Sequence, residues 1–325
     1  MTTRARVRGV GHYLPERVVP NAWFAEQGVD TSDEWIKTRS GIERRHFAVD
    51  GEKTSHLAIK AASAALADAE LEASDIDAII VATSTPDLTF PSVATMVQAA
   101  LGMTRGFAFD VQAVCAGFVF AVSNANALIL SGQAKRVLVI GAETFSRILD
   151  FEDRATCVLF GDGAGAIILE ASEGAGTSED RGILSVDLNS DGRHLDMLYV
   201  DGGVSSTGTS GVVKMQGREL FKHAVVKLAD TAETSLEKAG LTQDDLDWIV
   251  PHQANIRIIS GTAKKLGLSM DQVVVTVQDH GNTSAASIPL ALAIAKAEGR
   301  FNAGQVVLLE AIGGGLAWGS VIIRW

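Results

Sequence analysis

Three residues in this chain of 325 have side chains that do covalent chemistry or direct it, and each stands where a fold can use it. Cys115 lies in FDVQAVCAGFVFAVSNANALIL, where a β-like run gives way to small residues and then to a long apolar helix. At such a strand-to-helix junction the first unpaired helix N–H groups and the positive end of the helix dipole favour a thiolate, the nucleophilic form. His252 follows the strand LDWIV and a proline, in PHQANIRI, just before the helix IRIISGTAKKLG. Asn282 lies in a Gly-Asn turn ahead of another helix, in VQDHGNTSAASIPLAL. Singly, each also has a structural reading: Cys115 as an inert core thiol, His252 as a structural imidazole, Asn282 as a turn former or helix cap. Together they form a Cys-His-Asn set of the kind that supports covalent acyl transfer. Cys157, in the apolar run RATCVLFGDGAGAIIL with no helix start after it, reads as core.

The elements that must position these residues occur twice. LAIKAASAALADAELEASDIDAIIVATS reads as an amphipathic helix, a turn and a buried strand, and HAVVKLADTAETSLEKAGLTQDDLDWIVPHQ repeats that order without a gap. The repeat sets Leu71 opposite Leu241, Asp77 opposite Asp247 and Ile80 opposite Val250, and it sets Ala82 opposite His252, so that backbone place does not itself require an imidazole. Each half then adds an Ala-rich helix (Phe118 to Leu130; Ser287 to Ala297) and an apolar strand, KRVLVIGAE and GQVVLLEAIGGG. A repeat this long is no solenoid. It predicts two fused α/β units, residues 1–172 carrying the cysteine and 173–325 carrying the histidine and asparagine, with their sheets packed over shared helices. The small, polar stretch from Glu170 to Ser178 is the expected crossover.

Composition narrows the function. Twenty-eight Lys+Arg against 39 Asp+Glu leave a formal charge of −11, which opposes nucleic acid and anionic membrane surfaces. The N-terminal segment lacks an apolar signal core and no run of 18 apolar residues follows, so a cytoplasmic protein without a membrane span is expected. Two cysteines make no disulfide framework, and no Cys/His spacing predicts a metal site. GDGAGA fits neither dinucleotide nor P-loop patterns and reads as a tight turn between adjacent strands.

DVQAVCAGF, RATCVLFGDGAGA, PHQANIRI, HGNTSAASIPLAL and EAIGGGLAWGS follow one another in an order that closely resembles the β-ketoacyl-acyl-carrier-protein synthase III family, which initiates type II fatty acid synthesis. The resemblance runs from GVGHYLP through SDEWIKTRSGIERRHF to GSVIIRW. It implies a five-layered αβαβα thiolase fold, a homodimer, and acyl-CoA and malonyl-acyl carrier protein as substrates with no cofactor. By the same resemblance Cys115 takes the acyl group, the backbone N–H groups of Cys115 and Gly314 hold the oxyanion, and His252 and Asn282 donate to the enolate formed on decarboxylation. Coenzyme A falls to Trp35, Arg39, Arg154 and Asn255. The carrier protein falls to Gln253, Ala254, Asn255, Ile256 and Arg257. Because that partner is acidic, Arg218, Lys222, Lys264 and Lys265 join Arg257 as its positive landing zone. Phe90 matches the aromatic residue that closes the partner subunit's acyl pocket. Ile312 departs from the family: many relatives carry phenylalanine there beside the cysteine, so the packing around the thiol is expected to differ. Polyketide or secondary-metabolite ketosynthases and acyltransferases of the same fold are the competing reading. A cysteine hydrolase and a degenerate acyl-CoA-binding scaffold are the more distant ones.

Overall fold

The computed structural model describes residues 1–325. The first half runs β1 (Thr2–Tyr13), β2 (Val18–Pro20), α1 (Asn21–Glu26), α2 (Asp33–Ser40), β3 (Arg44–His46), α3 (Thr54–Ala69), β4 (Ala78–Ala82), α4 (Val93–Ala100), β5 (Phe107–Val111), α5 (Gly117–Leu130), β6 (Arg136–Glu143) and β7 (Gly163–Gly174). The second runs β8 (Gly182–Ser190), β9 (Leu198–Val200), β10 (Val213–Met215), α6 (Gly217–Ala239), β11 (Trp248–Pro251), α7 (Ile256–Lys265), α8 (Val277–His280), α9 (Ser287–Ala297), β12 (Val306–Gly313) and β13 (Ala317–Arg324).

Two large sheets result, ordered β1-β7-β6-β4-β5 and β11-β12-β13-β8, beside the two-stranded pairs β2-β3 and β9-β10. In the first, β4 and β6 are parallel with Ala78 opposite Val137; in the second, β11 and β12 are parallel with Trp248 opposite Val307. Each residue of the second pair lies 170 positions after its counterpart, the offset at which the sequence repeats. The counterpart of β5 is reduced to a single parallel bridge between Ile249 and Val273.

Between the sheets lie α5 and α9. α9 is apolar on nearly every side, as an enclosed helix must be, whereas α5 leaves Asn124, Ala127 and Leu130 exposed; Phe118, Val122, Ile288 and Leu292 share one core with Ile80, Val139, Leu309 and Val321 of the two sheets. On the outer faces, α3 covers the first sheet and α6 the second. The close approach of α3 needs Gly11, since a Cβ there would strike the α3 backbone at Ala61, Ala64 and Ala65. The layering is the thiolase-like αβαβα arrangement.

Two expectations change. The segment Glu170 to Gly174 is strand, with Ala171 to Gly174 paired to Ala5 to Thr2 of β1, so the crossover shortens to residues 175–181. GDGAGA is likewise no turn between strands: Gly163 and Gly165 open β7, and a Cβ on Gly165 would come within 2.5 Å of Leu290 N. Those glycines let α9 lie on the sheet.

Candidate active site

Each central helix is entered through a short 3-10 turn, Val114–Ala116 before α5 and Ser284–Ala286 before α9. Val114 and Ser284 both adopt φ +49°, a left-handed angle unfavourable for a residue with a Cβ. The two turns touch, so the starts of α5 and α9 meet. Cys115 is in the first. Asn282 is two residues before the second, and Ser287 follows it.

His252 reaches the same place from β11. Its backbone N–H donates to Glu310 O of β12 (2.8 Å), and its Nδ1 lies 2.7 Å from Ser287 Oγ. Ser287 Oγ already accepts the Gln253 N–H at 3.2 Å, and its own O–H has no other acceptor, so it donates to Nδ1. The ring proton then sits on Nε2, aimed away from that anchor. Burial pushes the imidazole down to about 3, so it is neutral. Asn282 is oriented in the same manner: Ser284 N–H donates to its Oδ1 at 2.9 Å, which leaves the amide NH2 free to donate. Its backbone is pinned to the neighbouring segment by Asn282 N to Leu159 O and Gly161 N to Asn282 O.

The end of β12 closes the site. A Cβ on Gly313 would lie 2.6 Å from the Cys115 N, so only glycine permits this approach. The N–H groups of Cys115 and Gly314 donate to no carbonyl or side-chain oxygen in the protein. A cavity of about 1200 Å³ opens beside them, lined by Val114, Gly314 and Gly315 and by the segments 84–89 and 198–204.

The thiolate expected at Cys115 is not its resting form. Burial pushes the thiol up to about 12; Ser284 works against that rise and the Glu143 charge adds to it. The α-helix begins only at Gly117, and the turn before it, capped by Gly313, leaves the sulfur without water. Gln253 is also not where the resemblance implied. It is 1% exposed. Its Nε2 donates to Pro251 O (2.9 Å) and Val274 O (3.0 Å), and its Oε1 accepts from Thr276 N (2.8 Å) and Val277 N (3.1 Å). It is a clamp on the His252 strand and has nothing left for a partner protein. Ile312 points outward into a small cluster with Ala224, Leu228, Ile258 and Leu316, which does not include Cys115.

Away from the thiol, Trp35 on α2 lies under two guanidinium groups, Arg39 at 4.5 Å and Arg154 at 5.0 Å from the ring centroid. Arg257 Nη2 donates to Thr38 O (3.1 Å), tying α7 to α2. Asn255 caps α7 through Ile258 N, Ala254 is half-buried, and Ile256 packs against Gly41. Arg218 and Lys222 are exposed on α6, which packs beside α7 with its exposed Lys264 and Lys265. Phe90 is 82% exposed, next to half-exposed Leu88.

Sequence reasoning passed over Ser284, Ser287, Gly313 and Glu143. The serines of NTSAAS look like ordinary helix-start residues. Glu143, a lone carboxylate ending an apolar strand, was the one readable signal.

Family models for 3-oxoacyl-[acyl-carrier-protein (ACP)] synthase III match residues 109–192, and for its C-terminal part residues 236–325. A β-ketoacyl-[acyl-carrier-protein] synthase III of Ruegeria pomeroyi is 74% identical over 325 residues, covering 100% of both chains. The chain belongs to the β-ketoacyl-acyl-carrier-protein synthase III family. Members of this family are condensing acyltransferases that initiate fatty acid synthesis. Among solved structures, the synthase III of Aquifex aeolicus VF5 superposes with TM-score 0.93 at 44% identity, over 99% of this chain and 100% of that one. The priming β-ketosynthase of the R1128 polyketide pathway superposes almost as well, TM-score 0.91 over 99% of this chain and 97% of that one, at 34% identity. The polyketide reading is the less favoured, since the relatives that match at 71–74% identity over the whole chain are synthases III.

Proposed function

We propose that Cys115 takes an acyl group from acyl-CoA and passes it to the carbanion formed when malonyl-acyl carrier protein loses carbon dioxide. The observation that carries this reading is the meeting of the two helix starts, where a buried thiol stands with a neutral imidazole and a carboxamide, the latter two each held by a hydrogen bond that leaves the donor end free.

In the first half-reaction the sulfur attacks the thioester carbonyl, and the oxyanion accepts from the unspent N–H groups of Cys115 and Gly314. In the second, the malonyl thioester carbonyl becomes an enolate oxygen as the carboxylate leaves, accepting from His252 Nε2–H and an Asn282 N–H. Neutral donors suit this step, because a carboxylate there would repel the developing charge. The carbanion then attacks the acyl-Cys115 carbonyl, and the sulfur departs.

Trp35, Arg39 and Arg154 form the nucleotide end of the coenzyme A site, an indole face between guanidinium groups that can also meet phosphate. Asn255 lies beside it through the α7–α2 contact. Arg257, Lys264, Lys265, Arg218 and Lys222, on adjacent helices, make a basic landing zone for acyl carrier protein, bordered by Ala254, Asn255 and Ile256. The exposed Phe90 is completed by a second copy of the chain, where it closes the partner subunit's acyl pocket. We read the chain as two copies of one unit, 1–172 and 173–325, joined between β7 and β8. Two free cysteines, one reactive, suit a reducing compartment, the cytoplasm. No cofactor is required beyond the two thioesters.

Intact-protein mass after mixing wild type and Cys115→Ser with a panel of acyl-CoAs tests the reading. Wild type should gain one acyl group and lose it, with carbon dioxide release, on addition of malonyl-acyl carrier protein; an adduct of equal yield on Cys115→Ser overturns the assignment.

A further inference from the structure

Acylation leaves one proton without a destination. As the Cys115 sulfur attacks, its S–H bond must break, and His252 is poorly placed to accept that proton because Ser287 O–H occupies Nδ1 and the ring proton occupies Nε2. Solvent is also excluded, since Cys115 is buried.

We infer that Glu143, acting through the Ser284 hydroxyl, accepts the thiol proton of Cys115 during attack on the primer thioester. This inference rests on Cys115 being the acyl acceptor. Glu143 ends β6 and is 0% exposed. Its Oε2 accepts from Thr85 Oγ1 (2.6 Å), Ser84 N (3.1 Å) and Thr83 Oγ1 (3.3 Å), whereas Oε1 receives only the long shared contact from Ser84 N at 3.2 Å. Oε1 is therefore the oxygen with capacity to spare. The turn that carries Ser284 packs against both the turn that carries Cys115 and strand β6, which ends in Glu143, and the buried Ser284 hydroxyl has no hydrogen-bond partner. A buried hydroxyl without a fixed partner, on a residue held at φ +49°, combines two unfavourable features that a purely structural serine has no reason to keep.

The groups facing Glu143 are Thr83, Ser84 and Thr85 from the loop after β4 and Ser284 from the turn before α9. The one titratable group whose charge couples to it is Cys115, from the turn before α5. No cation faces it to hold it ionised. Burial pushes Glu143 up to about 7, against about 3 for His252, so the carboxylate is the stronger base of the two.

The step balances. The Cys115 proton passes to Ser284 Oγ, which releases its own proton to Glu143 Oε1, while the sulfur electron pair forms the new C–S bond. When the tetrahedral intermediate collapses, the bond to the coenzyme A sulfur breaks, and the proton returns by the same hydroxyl to that departing sulfur.

The test follows alkylation of Cys115 by iodoacetamide, read by peptide mass, in wild type, Glu143→Gln, Glu143→Asp and Ser284→Ala across neutral pH. Wild-type reactivity should rise with pH through about 7 and then level off. In Glu143→Gln and Ser284→Ala that inflection should vanish, with alkylation above it slower on the order of 10²-fold, while Glu143→Asp restores the inflection in part. A carboxylate that merely repels the thiolate gives the opposite sign: alkylation of Glu143→Gln as fast as wild type or faster overturns the inference, as does an unchanged inflection in Ser284→Ala. Should Glu143→Gln fail to fold, the Ser284→Ala and Glu143→Asp profiles decide alone. Wild type that alkylates as described but takes no acyl group from any acyl-CoA would instead refute the acyl-acceptor reading.

Discussion

Glu310 offers the sharpest test of how burial is distributed in this fold. It sits within β12, fully enclosed, and no protein group donates to either carboxylate oxygen. Burial raises it from 4.5 to about 8. Between those values the folded carboxyl keeps a proton that the unfolded chain has released, so stability falls as pH rises from 4.5 to about 8 and is fully present below 4.5. At 1.36 kcal/mol per pKa unit the loss is ~4–5 kcal/mol, of which about half should survive the relaxation and water entry that real interiors allow. Glu310→Gln removes the titration and nearly preserves the shape. Urea unfolding of both proteins, at equal concentration and at pH ~5 and ~8, gives the difference between them at each pH; Glu143, Asp162 and the histidines titrate in both and cancel. We expect the variant to gain ~2 kcal/mol on wild type between the two conditions. A gain under ~0.5 kcal/mol would mean that Glu310 is solvated or paired in the folded protein, and would refute the reasoning.

Three further outcomes follow from the geometry. Gly313→Ala puts a methyl 2.6 Å from the Cys115 N; kcat/KM should fall on the order of 10²-fold with a much smaller shift in unfolding midpoint, and an active variant would show that the β12 end moves freely. Gln253→Ala strips partners from two buried N–H and two C=O groups and should cost ~2–4 kcal/mol in denaturant unfolding, whereas normal stability with weakened carrier-protein binding would restore Gln253 to the surface role. Trp35→Ala and Arg154→Ala should each raise KM for acyl-CoA about fivefold and leave an acyl-pantetheine primer, which lacks the nucleotide, unaffected; an equal loss with both primers would remove these residues from the nucleotide site.

The duplication was legible because its signal is periodic: the helix, turn and strand that end at Ala82 and at His252 carry their apolar residues at the same spacing, and β-pairing preserves that offset. Cys115, His252 and Asn282 were legible because residues at element ends have few structural reasons to be reactive types. What escaped depends on which way a side chain faces. Gln253 adjoins the exposed start of α7 and so reads as surface, but the backbone turns it inward against Thr276. Ile312 adjoins the GGG run, yet strand alternation sends it to the outer helices. Cys115 stands at a helix start that favours its charge, and enclosure by a neighbouring chain segment 198 residues later reverses the balance. Such enclosure is not a local property of sequence, which also explains why Ser284 passed for an ordinary serine.

The paired left-handed bends at Val114 and Ser284 stand 170 positions apart, the offset at which the sequence repeats. A valine at φ +49° is disfavoured, and a serine holds the same angle 170 residues later, so the kink recurs at the same backbone place in both halves whatever side chain stands there. In one copy the following residue is Cys115; in the other it is Ala285. The fold therefore built two identical perches for a reactive side chain, facing one another across the join. One carries sulfur and the other a methyl group, so a backbone that repeats itself holds a single working face.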